Sequence, residues 1–182
     1  MTAQPHSPVI TCLLKLQLIA VAAVLLAGSG PGGASAAPVN ARVMTAEYFT
    51  LIIAELDVDA MAVILAPDAA IHTPEGESRG PDGAAAFAGT LGAAFSDLSF
   101  TTGEPTLEGD AAAVRWTMTG IHTGDYLDHQ PNCSAVVVNG IAIFRFDDVQ
   151  IVEQWIQYDR LALVRQMEAF ADIDASTRPG CA

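Results

Sequence analysis

Lysine is nearly absent from this chain, since Lys15 is the only one among 182 residues. The 8 basic residues stand against 21 acidic residues, and the formal net charge is -13. Nucleic acids and anionic membrane surfaces bind proteins through positively charged patches. The charge therefore argues against nucleic acid as a partner, and equally against an anionic membrane surface.

Cysteine is scarce too, with 3 in the chain. Three cysteines form neither a disulfide scaffold nor, by themselves, a four-ligand zinc site. The 4 histidines contain no His-x-x-x-His pair, and the single lysine is not part of a Gly-Lys-Ser/Thr phosphate loop. We therefore expect no metal and no cofactor. The 51% of apolar residues, against 16% charged ones, excludes global disorder.

The longest apolar run follows Lys15 and extends from Leu18 to Ala27. A membrane-spanning helix needs ~20 apolar residues, so this run is short for one. Together with Ala34-Ser35-Ala36 ahead of Ala37, it is typical of a secretory signal peptide. We expect a bacterial protein that is secreted, periplasmic or held in the cell envelope, and no stable membrane insertion after processing. The alternative is an uncleaved anchor counted from Cys12 to Ala27.

Removal of residues 1–36 leaves one domain over residues 37–175 and a loop-like tail over residues 176–182. Only Cys133 and Cys181 then remain as cysteines. In an oxidising compartment such a pair is bridged or free, and we predict that these two form a disulfide.

The first part of the domain has helical periodicity. The spacing of Met44 and Tyr48 predicts a helix that Asn40 caps, and a second short helix covers Asp59–Leu65, with Pro67 ending it. A third helix begins at Gly80-Pro81 and reaches about Phe95.

The second part of the domain alternates with a period of two. This pattern predicts a run of strands before a closing helix at 160–170: 69–73, 98–107, 111–123, 135–146 and 150–159. Helices followed by long antiparallel strands indicate the α+β class. We expect a curved antiparallel sheet that wraps over three N-terminal helices into a cone with an internal pocket.

Polar side chains on apolar strand faces are the candidates for chemistry. In the last strand, Trp155, Gln157 and Asp159 share one face, so all three face the pocket if Trp155 does. A carboxylate beside an indole loses hydration, and its pKa rises toward values useful for acid–base work. Asp159 also precedes a helix that it can cap, and the two roles can coexist.

His122 shares the face of its strand with Trp116 and Met118. It is either a pocket imidazole that donates to a substrate oxygen or a buried neutral histidine bonded to the backbone. Trp116 and Met118, like Trp155, are candidate pocket walls. His72 ends the first strand and is either a pocket-rim residue or an exposed loop residue.

The strand over 135–146 is apolar on both faces. Val136, Val138 and Phe144 lie on one face, and Val137 and Ile141 lie on the other. One face can line the cone, so the other needs cover, and we expect a homodimer.

Six stretches together resemble the SnoaL-like polyketide cyclase (ester cyclase) group of the NTF2-like superfamily, over about residues 43–168. They are Leu56–His72, Arg79–Pro81, Ala93–Phe100, Glu108–Gly124, Gly140–Phe146 and Ile151–Gln166. The resemblance implies a cone-shaped α+β barrel, often dimeric through its sheet, without metal or nucleotide.

Cyclases of this group close a ring by intramolecular aldol condensation. Their acid–base carboxylate lies near the end of the last strand, which corresponds to Asp159. The chain departs from the usual pattern where Pro131-Asn132-Cys133 stands for Pro-Thr-Gly and where Glu153-Gln154-Trp155 stands for Glu-His-Trp. Export is a further departure, because polyketide cyclases work in the cytosol beside their synthases.

Two functions fit these observations. The first is a cofactor-independent acid–base enzyme, of cyclase, isomerase or lyase type, that acts on a small apolar carbonyl compound. In it Asp159 and His122 are catalytic, and Trp116, Met118, Trp155, Gln157 and His72 contact the substrate. The alternative is a non-catalytic module of the same fold that binds a small apolar molecule.

Overall fold

A computed structural model describes residues 41, 44, 45, 48, 49, 53 and 55–168. The predicted signal segment 1–36, the predicted start at Ala37 and the tail 176–182 lie outside the described residues. Among the described residues, no helix is long and apolar enough to span a membrane.

The first predicted helix is described at single positions only. Met44 and Thr45 are helical, Tyr48 and Phe49 lie in a π-helical turn, and all four are buried. The burial of Met44 and Tyr48 agrees with the inward stripe that their spacing predicted.

Three further helices have defined bounds: α1 is Val58–Ile64, α2 is Gly80–Ala94 and α3 is Arg160–Glu168. Asp57 caps α1, because its Oδ1 accepts the backbone N–H of Ala60 at 3.2 Å. The two helices expected here from the first part of the domain are confirmed, and the closing helix is confirmed over the described residues.

Seven strands form one sheet. They are β1 (Leu65–Thr73), β2 (Gly76–Arg79), β3 (Phe95–Thr102), β4 (Thr106–Glu108), β5 (Ala111–His122), β6 (Ala135–Asp147) and β7 (Gln150–Tyr158). Their order is β2-β1-β7-β6-β5-β3, and β4 also pairs with β5. The helices and this curved sheet give the predicted α+β fold.

The sheet contains one strand that was not predicted, β2, and it differs from the prediction in two further details. The sheet is mixed, because β1 runs parallel to β7 with His72 opposite Trp155. It also does not close, since β2 and β3 are its two ends. The hydrophobic pattern shows which face of a strand is buried but not which distant strand lies beside it, so the parallel pair could not be seen from the pattern.

The start of α2 is fixed by a close backbone approach. Gly80 has φ of +62°, and a Cβ on it would lie 2.3 Å from the carbonyl oxygen of Pro67. Pro67 lies inside β1, where the pairing with β7 is irregular between Leu65 and Ala70. The short helix therefore ends at Ile64, before Pro67, and only glycine fits at the head of α2.

Strand β6 has the two apolar faces that its sequence predicts. Val136, Val138 and Phe144 are buried, whereas Val137 is 51% exposed and Ile141 is 50% exposed. On the inner face Phe144 contacts the ring of Tyr48, and the outer face is open in the single chain.

Candidate active site

A narrow apolar space, here called the core cavity, lies between the inner face of the sheet and the helices. Side chains of α2, β3, β5, β6, β7 and α3 surround it, among them Phe87, Leu91, Trp116, Met118 and Tyr158. About 310 Å³ of space between and beside these side chains holds no protein atoms, and only about 10 Å³ of it is wide enough for a water molecule. Trp116 and Met118 line this space, which is nearly filled, and their contact with a substrate stays a prediction.

A second space lies outside the cavity, between α2 and the β1–β2 hairpin, and is here called the hairpin groove. It has a volume of about 280 Å³. Glu75, Ser78, Phe87, Leu91 and Tyr126 are among the residues that line it.

Tyr158 connects the two spaces. Its ring is part of the cavity wall, while its hydroxyl contacts Tyr126 and Glu75, which line the groove. The two tyrosine oxygens are 2.9 Å apart, and the Tyr126 hydroxyl lies 3.2 Å from Glu75 Oε1. The Tyr158 hydroxyl donates to the same carboxylate oxygen. Two phenols and one carboxylate thus meet at the boundary between cavity and groove.

Both phenols are held in their neutral form. Burial raises the pKa of Tyr126 to about 12, and the charge of nearby Glu75 adds to this, whereas the Arg160 guanidinium opposes it. Burial, followed by the hydrogen bond to Glu75, raises the pKa of Tyr158 well above its usual range. At neutral pH each hydroxyl can donate a hydrogen bond.

The two tyrosines and Glu75 make more oxygen–oxygen contacts than they have hydroxyl protons to share. Tyr126, Tyr158 and an ionised Glu75 make three oxygen–oxygen contacts, yet only two hydroxyl protons are available to fill them. One hydroxyl can therefore keep its bond to Glu75 while the other turns to an incoming oxygen. This is the arrangement of donors that stabilises a developing oxyanion.

A tight turn positions Tyr126. Its backbone exchanges two hydrogen bonds with His129, at 3.0 and 2.9 Å, across Leu127 and Asp128. Both intervening residues have positive φ, 50° and 65°, which is the geometry of a type I′ turn. The Tyr126 ring then meets Phe95 edge-on, with centroids 5.2 Å apart.

His122 is fully buried, and its ring bonds to a side chain rather than to the backbone. Its Nδ1 lies 3.2 Å from Asn132 Oδ1, which also accepts the Ser134 hydroxyl at 2.7 Å. The Asn132 amide nitrogen donates to the carbonyl of Met167 at the end of α3, so Nδ1 must donate to the amide oxygen. The arrangement matches the buried-histidine alternative in its burial, and a catalytic role for His122 stays a prediction.

The same loop carries Cys133, which is disulfide-bonded. The other half of that bond lies outside the described residues, so the pairing with Cys181 stays a prediction.

Asp159 caps α3, as one of its two predicted roles requires. Its Oδ1 accepts the backbone N–H of Ala162 at 2.8 Å, and the residue is exposed. A catalytic role for this carboxylate stays a prediction.

Trp155 and Gln157 share one face, as the alternation predicts, and this is the outer face of the sheet, away from the core cavity. Gln154, Ile156 and Tyr158 point inward instead. The pairing of β6 with β7 shifts between Arg145 and Phe146, and such a bulge reverses the alternation of faces along the strand. A bulge leaves no mark in the hydrophobic pattern of a strand this short.

His72 lies on the same outer face. Its ring stacks on Trp155 with centroids 5.3 Å apart, and its nitrogens lie 3.2 Å from Glu77 and 3.1 Å from Glu153. Glu153 in turn pairs with Arg145 at 2.6 Å. Substrate contact by His72, Trp155 or Gln157 stays a prediction. Such a contact would occur on the outer face of the sheet and not in the core cavity.

Three buried polar atoms find no hydrogen-bond partner among the described residues: Trp116 Nε1, His122 Nε2 and Gln154 Oε1. Buried polar groups normally have partners, so each of these atoms can bond to a water or a ligand. In the part of the chain that the structure describes, no group of three or more His, Cys, Asp or Glu side chains has an arrangement that could hold a metal ion.

Sequence reasoning did not identify Glu75, Tyr126 or Tyr158 as candidate site residues. These residues come from separate loops and elements, and their contacts arise only from the topology. Gly76-Glu77-Ser78-Arg79-Gly80 has the spacing of a nucleophile elbow, but Ser78 lies within β2 and no described base bonds to its hydroxyl.

Comparison with known proteins agrees with this architecture. The family model described as SnoaL-like polyketide cyclase matches residues 43–167. No curated protein matches the chain. Among solved structures, TsrD from Streptomyces laurentii is 28% identical with a TM-score of 0.63, and the match covers 70% of this chain and 93% of TsrD.

Two further structures share the fold at lower identity. A candidate polyketide cyclase from Acidithiobacillus ferrooxidans is 23% identical with a TM-score of 0.64, over 71% of this chain and 94% of its own. IdmH, a candidate polyketide cyclase from Streptomyces antibioticus, is 23% identical with a TM-score of 0.61, over 69% and 96%.

Proposed function

The chain belongs to the SnoaL-like polyketide cyclase family, and from that premise we propose that it is a cofactor-independent acid–base enzyme. Its substrate is a small apolar carbonyl compound whose body fills the core cavity. The observation that carries the proposal is the Tyr158 hydroxyl, which joins Tyr126 and Glu75 at the edge of that cavity.

The reaction begins with transfer of a proton from the carbon α to the carbonyl to a carboxylate. The carbonyl oxygen gains negative charge and accepts the hydrogen bond of Tyr158, while Tyr126 keeps its bond to Glu75. In a cyclase the enolate carbon then forms a bond to a second carbonyl carbon, and the carboxylate returns the proton to the new alkoxide. In an isomerase it returns the proton to another carbon.

Glu75 is the carboxylate nearest to these hydroxyls, and Asp159 is the one that the family resemblance indicates. Glu75→Gln and Asp159→Asn separate the two, because each removes a charge with little change in shape. The base is the residue whose amide variant loses turnover by about 100-fold or more.

The test is exchange of α-protons for deuterium in a panel of apolar ketones and β-keto esters, followed by NMR with a chelator present. Tyr158→Phe should slow the exchange by about 100-fold or more, since it removes one oxyanion donor. Tyr48→Phe is the matched control, because the Tyr48 hydroxyl bonds to Gln154 instead. Equal exchange in wild type and Tyr158→Phe would refute the proposed site.

The second candidate function is a non-catalytic module that binds a small apolar molecule. The exposed position of Asp159 and its use as a helix cap favour it. Mass spectrometry of small molecules retained by protein from its native host distinguishes the two, since an enzyme releases product and a binding module retains its ligand.

Export is a further part of the proposal. Its support is the apolar run up to Ala27 and the Ala34-Ser35-Ala36 segment. Intact-mass measurement of exported protein should show a chain that begins at or near Ala37, and a retained Met1 would contradict export with cleavage.

A further inference from the structure

Phe87 and Leu91 on α2 are common to the core cavity and the hairpin groove. Leu91 is only 5% exposed, whereas Phe87 is half-buried. The Phe87 side chain therefore borders both the cavity and the groove.

A ligand can enter the cavity only if part of this wall moves. The space that admits a water molecule inside is about 10 Å³, whereas the groove on the other side of Phe87 has about 280 Å³. Pockets for small molecules usually have ~300 Å³ or more. The groove is thus already large enough to receive part of a small ligand, and the cavity is not.

The surroundings of Phe87 allow it to be the part that moves. A long side chain on a helix leans over the preceding turn, and the residues three and four positions before Phe87 are Ala84 and Gly83. Neither has a side chain that holds the ring. Phe49, Phe100 and Trp116 are held by contacts with one another, whereas no aromatic contact to Phe87 occurs within the described residues.

We propose that the Phe87 ring is the gate between the hairpin groove and the core cavity, and that its size decides which apolar ligands enter. A flat, neutral ring system fits the opening that rotation of one phenyl ring leaves, and its carbonyl would stop beside the Tyr158 hydroxyl. The proposal deepens the function proposed above, since it names how that substrate reaches the site and which shape it has.

The test uses N-phenyl-1-naphthylamine, a flat neutral fluorophore, and stopped-flow fluorescence. The protein carries Trp155→Phe, which leaves Trp116 in the cavity wall as the only tryptophan of the original 2. Energy transfer from Trp116 to the probe then gives one signal for binding, and the Phe87 variants decide whether the probe passes that ring.

A gate changes entry and exit together. Phe87→Ala should raise both the association and the dissociation rate constants by about tenfold or more and leave Kd within about threefold, and Phe87→Trp should lower both rate constants. Thr90→Ala is the matched control, because Thr90 lines the groove but not the cavity, and its rate constants should stay within about twofold of the parent.

Two outcomes would overturn the gate. One is a Phe87→Ala protein that changes only the dissociation rate constant, because Phe87 would then be a contact and not a barrier. The other is absence of Trp116 quenching in both the parent and Phe87→Ala. Tyr158→Phe separates the gate from the proposed function. Loss of deuterium exchange with unchanged probe kinetics supports both the enzyme site and the gate. Unchanged deuterium exchange refutes the enzyme site and leaves the gate standing.

Discussion

The indole of Trp116 lies directly against Gly140 of the neighbouring strand. A Cβ on Gly140 would be 2.2 Å from Trp116 Cζ2 and 2.6 Å from the carbonyl oxygen of Gln157. The absence of a side chain at residue 140 therefore lets Trp116 lie flat on β6 and form the wall of the core cavity.

Gly140→Ala should displace Trp116 and lower the free energy of unfolding by about 1–3 kcal/mol, because overpacking forces buried neighbours to shift. Denaturant unfolding measures the loss. Emission of Trp116 in a Trp155→Phe background should also change, since the indole moves. Unchanged stability and emission would mean that the strands absorb the methyl group, contrary to this prediction.

Gly89→Ala should have the opposite effect. Gly89 lies inside α2, and an added Cβ would meet nothing within 4 Å. Alanine has the better helix propensity, so the free energy of unfolding should rise by about 0.5–1 kcal/mol. A loss of stability on the same denaturant scale would show that α2 needs this glycine for a reason that its open surroundings do not reveal.

The buried face of a strand could be predicted where it depends only on the alternation of residues within that strand. β5 and β6 bury the residues that alternation assigns to the inner face, including Trp116, Met118 and Val138. The fold class followed from the order of helices and strands.

The candidate site was less predictable, because it depends on relations between distant residues. The bulge between β6 and β7 turned Trp155 outward and Tyr158 inward. Glu75 and Tyr126 are 51 residues apart and meet only after two loops have folded. Neither a bulge nor a contact between loops produces a local periodicity.

Two substitutions at Asp159 separate the contribution of its helix cap from that of its charge. Asp159→Ala removes the acceptor of the Ala162 N–H and should lower the free energy of unfolding by about 1 kcal/mol. Asp159→Asn keeps an acceptor, so it should change stability by only a few tenths of a kcal/mol. Thermal unfolding compares the two variants. Equal loss of stability in both would mean that the charge, and not the cap, is what stabilises α3.

The exposed apolar side chains on the outer face of the sheet indicate self-association. Ile141 is 50% exposed and Ile143 is 42% exposed on β6, beside Val137. We expect a homodimer that covers this face, and Ile141→Glu should shift it to monomer because a charge would be buried at the interface. Sedimentation at micromolar concentration checks this, with Val63→Glu on α1 as an exposed control. A wild-type mass of one chain would reject the dimer.

The three tyrosines predict loss of stability in alkali. Burial raises the pKa values of Tyr48 and Tyr158 above the usual range and that of Tyr126 to about 12. Below pH of about 10 the phenols are protonated in both the folded and the unfolded chain, so their contribution to stability is at its maximum. Above that pH the unfolded chain releases protons first, and the free energy of unfolding should fall as the pH rises toward about 12.

The composition leaves few side chains other than tyrosine that titrate in this pH range. Lys15 is the only lysine of the chain, and arginine keeps its charge throughout the range, so tyrosine dominates the titration between pH of about 10 and 12. Denaturant unfolding at several pH values should give a falling stability for the wild type. Tyr126→Phe should have a shallower slope, because one of the three shifted phenols is gone. A slope identical to that of the wild type would mean that the Tyr126 phenol ionises equally well in the folded and unfolded chain, and that its hydroxyl is not sealed beside Glu75 as the structure shows.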